Sequence, residues 1–376
     1  MADEALLNLP TDAFVEIVLR LPSRKRWRLR LVCRSWRDVI RERTPAPSQP
    51  IPLAFVVGYN AGAEWACAYA IDDLEQGRCK EVWRRPGINM SDTALVGTCN
   101  GVLCLCDDTV PGGAVSLVNP VTGETLAVTP PPGSGQRAWG LEMGGWHAAY
   151  SFAFDTATER YTVVHVPCYY DKTGGFNAVQ VFTTPASSAS AAWRDVPVLG
   201  GGSSCCLKAG IVSVDGATYW VTKGVESVVS FDLADERVAF TKPLPRRDER
   251  GYAWHLAEVH GRLGVVSTAV DARRNPEKIE VWVRGDGGRG WSRRYSVQVN
   301  GVTDRSRGRT SSMATTYCSP ATMIGCLKNA TRRWQSGEVL SVRVTVETLG
   351  VAVSGMSGRI KGIFAYVENT EPFNAS

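Results

Sequence analysis

Cysteine and histidine are the residues of this sequence best suited to metal binding, and their spacing predicts no metal site. The 376 residues include eleven cysteines and four histidines. Five cysteines form an apolar run and an adjacent pair: Cys99, Cys104 and Cys106, then Cys205 and Cys206. Neither group has the paired C-x2–4-C spacing of a zinc site, and His255 and His260 do not have the spacing of H-E-x-x-H. We therefore expect no metal and no cofactor.

Motifs for nucleotide binding and nucleophilic catalysis are absent, with one apparent exception. Gly285, Gly287 and Gly290 in GDGGRGW match the G-x-G-x-x-G spacing of a dinucleotide-binding loop. This stretch joins two strand-like runs instead of leading from a strand into a helix, so we predict a hairpin loop. No G-x-S-x-G, G-x4-G-K-[ST] or H-E-x-x-H motif occurs. The sequence therefore supplies no catalytic residue.

The N-terminal segment and the hydropathy pattern bear on the compartment. MADEALLNLP begins acidic and lacks the basic and apolar regions of a signal peptide, and no apolar run is long enough to span a membrane. We therefore expect the cytoplasm, the nucleus or both, with no membrane partner. In such a compartment the cysteines should be reduced, buried thiols.

The net charge of +5 is concentrated near the N-terminus, where residues 1–43 hold ten Lys and Arg against six Asp and Glu. The basic residues cluster in one stretch: Arg24, Lys25, Arg26, Arg28, Arg30, Arg34 and Arg37. Such a cluster could bind nucleic acid or direct nuclear import. We favour the solvated face of an amphipathic helix, because basic and apolar residues alternate, and we expect no nucleic-acid partner.

The helix-like pattern of the chain lies in the same N-terminal region. Its first apolar residues share one helix face, with the spacing i, i+3, i+4, i+7: Phe14, Ile17, Val18 and Leu21. Pro10 suits a first helical turn, and Pro22 ends the helix because the residue before a proline is pushed out of the α region. A second helix is predicted over residues 26–41. Two such helices cannot bury both faces alone, so the stripe either packs on the rest of the chain or is completed by a partner.

Two motifs in this region resemble the F-box, which binds the Skp-family adaptor of cullin-RING ubiquitin ligases. They are Leu9-Pro10-x-Asp12-x4-Ile17-x2-Arg20-Leu21-Pro22 and Val32-Cys33-x2-Trp36-x3-Ile40, in one ungapped register over the first tenth of the chain. The resemblance implies that the adaptor-binding residues are Leu9, Pro10, Ile17, Leu21, Pro22, Val32 and Trp36. The sequence departs from the family at Lys25 and Arg26, where a small polar residue and Leu usually open the second helix.

A proline-rich segment and a long β-rich region follow the helices. Three prolines in Thr44–Pro50 exclude a helix and predict a linker over residues 44–51, between a helical module over 1–43 and a domain over 52–376. In that domain short apolar runs alternate with Gly, Pro, Asn and Asp turns, which predicts an all-β fold. The runs are PLAFVVGY, VGTCNGVLCLC, AVSLVNP, AYSFAFD, YTVVHVP, AVQVFTT, GIVSVDGATYWVT, SVVSFDL, LGVVSTAV, KIEVWVRG, RRYSVQV, VRVTVETLG and GIFAYVE.

Two recurring turn patterns predict that the β-rich domain is built from repeats. Pro or Asp precedes Glu by four residues in Pro120–Glu124, Asp155–Glu159 and Asp232–Glu236, whose starts differ by 35 and 77 residues. A polar residue precedes Gly in Asn100-Gly101, Asp215-Gly216 and His260-Gly261. A period of about 40–50 residues with several strands per repeat is typical of a β-propeller, in this chain with about six or seven blades.

Four stretches of the β-rich domain resemble, in the same order, the F-box-associated domain of a large plant family, which is kelch-like in its propeller geometry. They are GTCNGVLCL, LVNPVTGETL, YSFAFDTATERYTVV and VVSFDLADERVAF. With the F-box, this implies a non-catalytic substrate-recognition subunit of an SCF-type ubiquitin ligase, whose helices bind the adaptor and whose propeller binds a client protein. The alternatives are an F-box scaffold without ubiquitin transfer and, less favoured, a propeller enzyme or nucleic-acid binder.

Client-binding residues are expected in the loops, because propeller strands carry packing and loops carry recognition. Aromatic and Arg side chains are concentrated in binding hot spots. The candidates are Arg137, Trp139, Trp146, His147, Tyr169, Tyr170, Arg246, Arg247, Arg250 and Tyr252. The competing interpretation is that the Trp and Tyr residues pack between blades.

Overall fold

The computed structural model contains two compact units, residues 1–50 with Ala375 and residues 51–374 with Ser376. The described residues are 10–21, 29, 32, 34–43, 50–60, 63–73, 78–87, 93–137, 145–170, 172–185, 192–198, 202–225, 227–245, 252–259, 261–270, 276–285, 290–298 and 358–369. Of the predicted linker, only residues 50 and 51 lie in these ranges, and Ile51 is already the first residue of a strand. No helix among these residues is long and apolar enough to cross a membrane.

The first unit contains helix α1 (Thr11–Arg20) and helix α2 (Arg34–Arg43). The predicted end of α1 is confirmed, because Leu21 before the proline has an extended backbone with ψ 144°. The second helix begins later than predicted. Val32 lies in a turn, where its N–H donates to the Leu29 carbonyl three residues earlier, at 3.3 Å.

A small apolar core joins the two helices. Phe14, Val18 and Ile40 are buried, and the Phe14 ring packs on Trp36 with their centroids 4.6 Å apart. The Arg43 guanidinium donates to the Asp12 carboxylate at 2.8 Å, which ties the end of α2 to the start of α1. Three fully buried side chains make a core near the lower limit for an independent fold.

The second unit contains five four-stranded antiparallel sheets, blades 1 to 5, whose strands are named below from the innermost outward. Blade 1 is β22 (Gly358–Tyr366), β1 (Ile51–Asn60), β2 (Ala63–Asp73) and β3 (Arg78–Pro86). Blade 2 is β4 (Thr93–Cys99), β5 (Val102–Asp107), β6 (Ala114–Val118) and β7 (Thr125–Val128). Blade 3 is β8 (Tyr150–Asp155), β9 (Arg160–His165), β11 (Ala178–Thr183) and β12 (Arg194–Pro197).

Two more blades and a small sheet complete the described strands. Blade 4 is β14 (Ile211–Val214), β15 (Ala217–Val221), β16 (Ser227–Asp232) and β17 (Arg237–Pro243). Blade 5 is β18 (Tyr252–Val259), β19 (Arg262–Val270), β20 (Pro276–Arg284) and β21 (Trp291–Gln298). β10 (Gly175–Phe176) pairs with β13 (Ser203–Ser204). The register Arg284↔Trp291 confirms that GDGGRGW joins two paired strands as a hairpin.

The arrangement of these sheets is that of a β-propeller. Inner strands contact their neighbours in the order β22, β4, β8, β14 and β18. Apolar side chains fill the spaces between successive blades, for example Leu53 and Phe55 of blade 1 against Leu103 of blade 2. The C-terminal strand β22 pairs with β1, so the two ends of the propeller chain form one blade.

The described residues form five blades, so the prediction of six or seven is wrong for this part of the chain. The strands β4, β8, β14 and β18 begin at residues 93, 150, 211 and 252, so successive blades start 57, 61 and 41 residues apart. Long connections lengthen the first two repeats beyond the predicted period. The Glu-containing turns are also not all equivalent, since Asp155–Glu159 joins the first and second strands whereas Pro120–Glu124 and Asp232–Glu236 join the third and fourth.

Candidate partner-binding surfaces

The helical unit exposes apolar side chains beside its small core. Ile17 is 51% exposed and Val32 is 62% exposed, and Pro10 is also exposed. Trp36 and Leu21 are half-buried. The predicted adaptor-binding residues Leu9 and Pro22 lie outside the described residues. The stripe predicted as one face therefore divides, with Phe14 and Val18 directed into the core and Ile17 left on the surface.

The basic stretch falls mainly outside the described residues. This applies to Arg24, Lys25, Arg26, Arg28 and Arg30, and to the side chain of Arg34. Arg37 is exposed on α2. The choice between a solvated face and a nucleic-acid surface therefore stays a prediction.

Strand direction divides the connections of the propeller between two ends. Segments 108–113, 129–149 and 166–177 follow second or fourth strands of their blades, so they share one end, which we call the loop end. The connections of first to second and third to fourth strands lie at the opposite end, the turn end. Ile51, where the chain begins the propeller, pairs with Tyr366 at the turn end.

Four of the predicted client-binding residues meet at the loop end in an aromatic cluster of Arg137, Trp146, Tyr169 and Tyr170. The Arg137 guanidinium carbon lies 5.9 Å from the centre of the Trp146 ring, a cation–π arrangement. Trp146 and Tyr170 each make an edge contact with Tyr169, at centroid distances of 5.3 and 5.1 Å. Tyr170 is 38% exposed whereas Tyr169 is fully buried. Tyr169 therefore supports the surface from below and does not itself present a contact.

His147 is held beside this cluster by Asp108. The Asp108 carboxylate accepts the backbone N–H of His147 at 2.9 Å, and its other oxygen lies 2.5 Å from the ring Nδ1. The contact sets the imidazole so that Nε2 is left for another partner. A Cβ on Gly145 would lie 2.5 Å from Nδ1, and this glycine has a φ of 159°. The close approach requires glycine because a larger residue would displace the imidazole.

A buried hydrogen-bonded chain fixes the loop that carries Arg137. The Tyr169 hydroxyl donates to the Ser134 carbonyl at 2.9 Å and lies 2.7 Å from His165 Nε2. Gln180 uses its amide nitrogen for the Pro132 carbonyl and the Asp195 carboxylate, so its oxygen accepts from His165 Nδ1, at 2.8 Å. Burial lowers the pKa of His165 to about 4, although the hydrogen bond from Gln180 opposes the shift. The neutral imidazole therefore belongs to the folded state at neutral pH.

The sequence did not identify several residues on which this surface depends. Asp108, Ser134 and His165 are separated in sequence and occur in no recognised motif, and only the propeller topology brings their loops together. Gly112 has a φ of +88° and approaches Ser134 so closely that a Cβ would lie 2.8 Å from the serine Cβ. The pair Gly112-Gly113 between two apolar runs was the one signal of a close loop contact in the sequence.

The remaining client-binding candidates are only partly accessible to description. Trp139, Arg246, Arg247 and Arg250 lie outside the described residues. Tyr252 is the first residue of β18, and its side chain is not described. Their assignment to client binding stays a prediction.

The described cysteines carry no disulfide, and five of the eight are buried: Cys67, Cys104, Cys106, Cys168 and Cys205. Burial raises the pKa of Cys99 to about 11 and that of Cys67 to about 12. A thiol with so high a pKa is a poor nucleophile at neutral pH. These residues serve as packing groups.

Comparisons with known proteins place both units. A family model described as the F-box domain matches residues 6–45, and one described as the F-box associated beta propeller domain matches residues 79–299. F-box protein At3g07870 of Arabidopsis thaliana is 25% identical over 321 residues, covering 78% of this chain and 73% of that protein. The putative F-box/kelch-repeat protein At3g20710 of the same organism is 26% identical, covering 66% of each chain.

Solved structures resemble the chain only loosely. TolB from Acinetobacter baumannii is 12% identical with a TM-score of 0.34, covering 69% of this chain and 54% of its own. A score of this size carries no functional inference.

Proposed function

The chain belongs to the F-box associated β-propeller family, and on that premise we propose that it is the substrate-recognition subunit of an SCF-type ubiquitin ligase. The observation that carries the proposal is the combination of an F-box domain over residues 6–45 with a propeller domain over residues 79–299 in one chain. In this proposal the first unit binds a Skp-family adaptor, and through it a cullin. The propeller binds a client protein.

The surfaces of the two units support this division of roles. Ile17 and Val32 are large apolar side chains left exposed beside a very small core, which is the condition that a partner would relieve. The loop end of the propeller gathers Arg137, Trp146 and Tyr170, residue types that dominate protein interfaces. The proposed subunit carries out no bond chemistry. It would raise the local concentration of client lysines near the ubiquitin-charged enzyme.

The test is affinity purification of the tagged full-length chain from plant cells, with the bound proteins identified by mass spectrometry. We expect a Skp-family adaptor and a cullin in the purified complex, from the cytoplasm, the nucleus or both. Ile17→Asp should remove both partners. Val121→Asp is the matched control, since Val121 is 43% exposed on a turn of blade 2 and lies in the other unit.

Protein half-lives separate the receptor from a scaffold. Proteins that the chain retains through its propeller should be degraded more slowly when the chain is deleted. If the adaptor and cullin are retained but no client changes its half-life, the scaffold interpretation replaces this proposal. If neither is retained, the proposal is wrong.

A further inference from the structure

The connecting segments at the two ends of the propeller carry opposite charge. Among the described residues, those at the loop end hold four basic side chains and one acidic: Arg137, Lys172, Lys208, Lys223 and Asp108. Those at the turn end hold six acidic side chains and no basic one: Glu124, Glu159, Asp215, Asp235, Glu236 and Glu368. A protein with one basic and one acidic face selects partners by the sign of their charge.

Local contacts preserve this difference at the loop end. The Asp108 carboxylate is occupied by the backbone and the ring of His147, and its side chain is only 9% exposed. Arg137 is exposed, and its structural contact is with the uncharged ring of Trp146. At the turn end three of the acids pair with basic residues of nearby strands, and the other three remain acidic positions: the pairs are Asp235–Arg237, Glu236–Arg194 and Glu368–Lys80.

The basic and aromatic residues of the loop end form a continuous path. Arg137 lies over Trp146, and Trp146 and Tyr170 both contact Tyr169. Lys172 follows two residues later in the same loop. The loop ends against Lys223, because a Cβ on Gly174 would lie 2.9 Å from the Lys223 Cδ.

We propose that this path, from Arg137 across Trp146 and Tyr170 to Lys172 and Lys223, binds an extended acidic segment of a client protein. The inference rests on the proposed function, and it specifies the chemistry of the client. Stacking on Trp146 leaves the guanidinium N–H groups directed outward in the ring plane, where they can donate to a carboxylate. Trp146 and Tyr170 supply rigid apolar surface for a side chain between the acidic residues.

The spacing of the cations favours carboxylates over phosphates. Recognition of a phosphoryl group uses several Arg side chains that converge on one point. Along this path Arg137, Lys172 and Lys223 are distributed, with two aromatic rings between the first and the others. Single carboxylates at intervals along an extended chain match that distribution.

The test uses the purified full-length chain and two libraries of immobilised peptides. The peptides have about twelve residues, enough at about 3.3 Å per residue to cross a face of the propeller. One library has Asp or Glu fixed at every third position, and the other has Asn or Gln there. We expect several-fold greater retention on the acidic library and a further decrease as salt is raised.

Substitutions assign the retention to the path. Arg137→Gln and Lys223→Gln should each reduce retention on the acidic library several-fold, whereas Arg262→Gln at the turn end should not. Arg137→Glu should in addition gain retention on a library with Lys at the fixed positions. Equal retention of the acidic and neutral libraries, or an equal loss with Arg262→Gln, would overturn the proposal.

Two further arms identify competing ligands. A phosphoserine library that is retained more strongly than the carboxylate library would replace the carboxylate source by phosphate. A single-stranded oligonucleotide that displaces the acidic peptides would point to nucleic acid and also overturn the proposal. Because no adaptor or cullin takes part, the result is independent of ligase assembly, which the affinity purification tests separately.

Discussion

The indole Nε1 of Trp193, at the start of the outer strand of blade 3, donates a 2.6 Å hydrogen bond to the carbonyl of Thr129 in blade 2. Blades 4 and 5 repeat the relationship, where Trp291 Nε1 donates to the Pro243 carbonyl at 2.8 Å. In both cases an outer strand begins with a Trp that reaches the carbonyl just beyond or at the end of the preceding outer strand. The bond links neighbouring blades at their periphery.

Replacing Trp193 by Phe keeps a large aromatic ring but removes this link. We expect a loss of about 1 kcal/mol in the free energy of unfolding, the usual net contribution of one neutral hydrogen bond. Urea denaturation of the full chain measures the change. Trp83→Phe is the control, because the described residues give the Trp83 indole no hydrogen-bond acceptor. An equal loss in both variants would show that ring volume and not the hydrogen bond is responsible.

Ile17 and Val32 should act in adaptor binding without supporting the fold of the helical unit. Each is more than half exposed, so Ile17→Asp or Val32→Asp should leave helicity unchanged. Placing a carboxylate in a desolvated apolar contact should weaken adaptor binding by at least tenfold, a change of about 1.4 kcal/mol or more. Isothermal titration with the purified adaptor measures this, and Val121→Asp provides the control. A dissociation constant unchanged in both variants would place the adaptor elsewhere.

His165 should make stability depend on pH. Its pKa in the folded protein is about 4, below the ordinary value of 6.5, because burial disfavours the imidazolium. The unfolded chain therefore binds a proton between these values that the folded chain does not. The stabilisation is complete above pH 6.5 and is lost as pH falls towards 4, by about 2 kcal/mol between pH 7.5 and 5.

The comparison for this prediction is His165→Gln, which cannot titrate. Burial also lowers the pKa of His255, and carboxyl groups titrate too, so both proteins should lose stability in acid. The wild-type chain should lose about 2 kcal/mol more than the variant, measured by urea denaturation at the two pH values. Parallel loss in both proteins would contradict the assignment.

The two glycines Gly101 and Gly216 occupy equivalent first-to-second strand turns in blades 2 and 4, with φ +78° and +72°. Gly216→Ala meets nothing within 4 Å and should cost only the left-handed backbone, about 1–2 kcal/mol. Gly101→Ala should cost about 1–3 kcal/mol more, because its Cβ would lie 2.7 Å from the Val367 carbonyl oxygen. Thermal melts of both variants test the difference. Equal melting temperatures would mean that the segment after β22 does not pack on this turn.

The C-terminal strand should be required for the propeller. β22 pairs with β1 and contacts β4, so its removal leaves the edge of β1 unpaired and the inner position of blade 1 empty. A chain ending at residue 357 should be insoluble or lack a cooperative thermal transition. A chain ending at Asn369 is the control, and its Nδ2 keeps the 3.0 Å hydrogen bond to the Asn100 carbonyl. Normal melting of the shorter chain would contradict blade closure by β22.

The sequence by itself determined the type of each unit. The apolar spacing of Phe14 and Val18 predicted α1, and Pro22 predicted its end, because helix periodicity and the restriction before proline are local effects. The inner and second strands were found as continuous apolar runs, since they are buried on both faces between blades. The outer strands β3, β7, β12 and β17 were not among those runs, because a strand with one solvated face has no continuous apolar stretch.

Only the tertiary structure decided how these elements combine. Blade number depends on connection length, and the long segments before β8 and β14 hid the true spacing. The aromatic cluster joins residues that lie 33 positions apart in sequence, from Arg137 to Tyr170, because propeller topology returns second and fourth strands to one end. Burial also separated Tyr169 from Tyr170, since adjacent side chains point to different environments. Local sequence carries no record of such long-range packing.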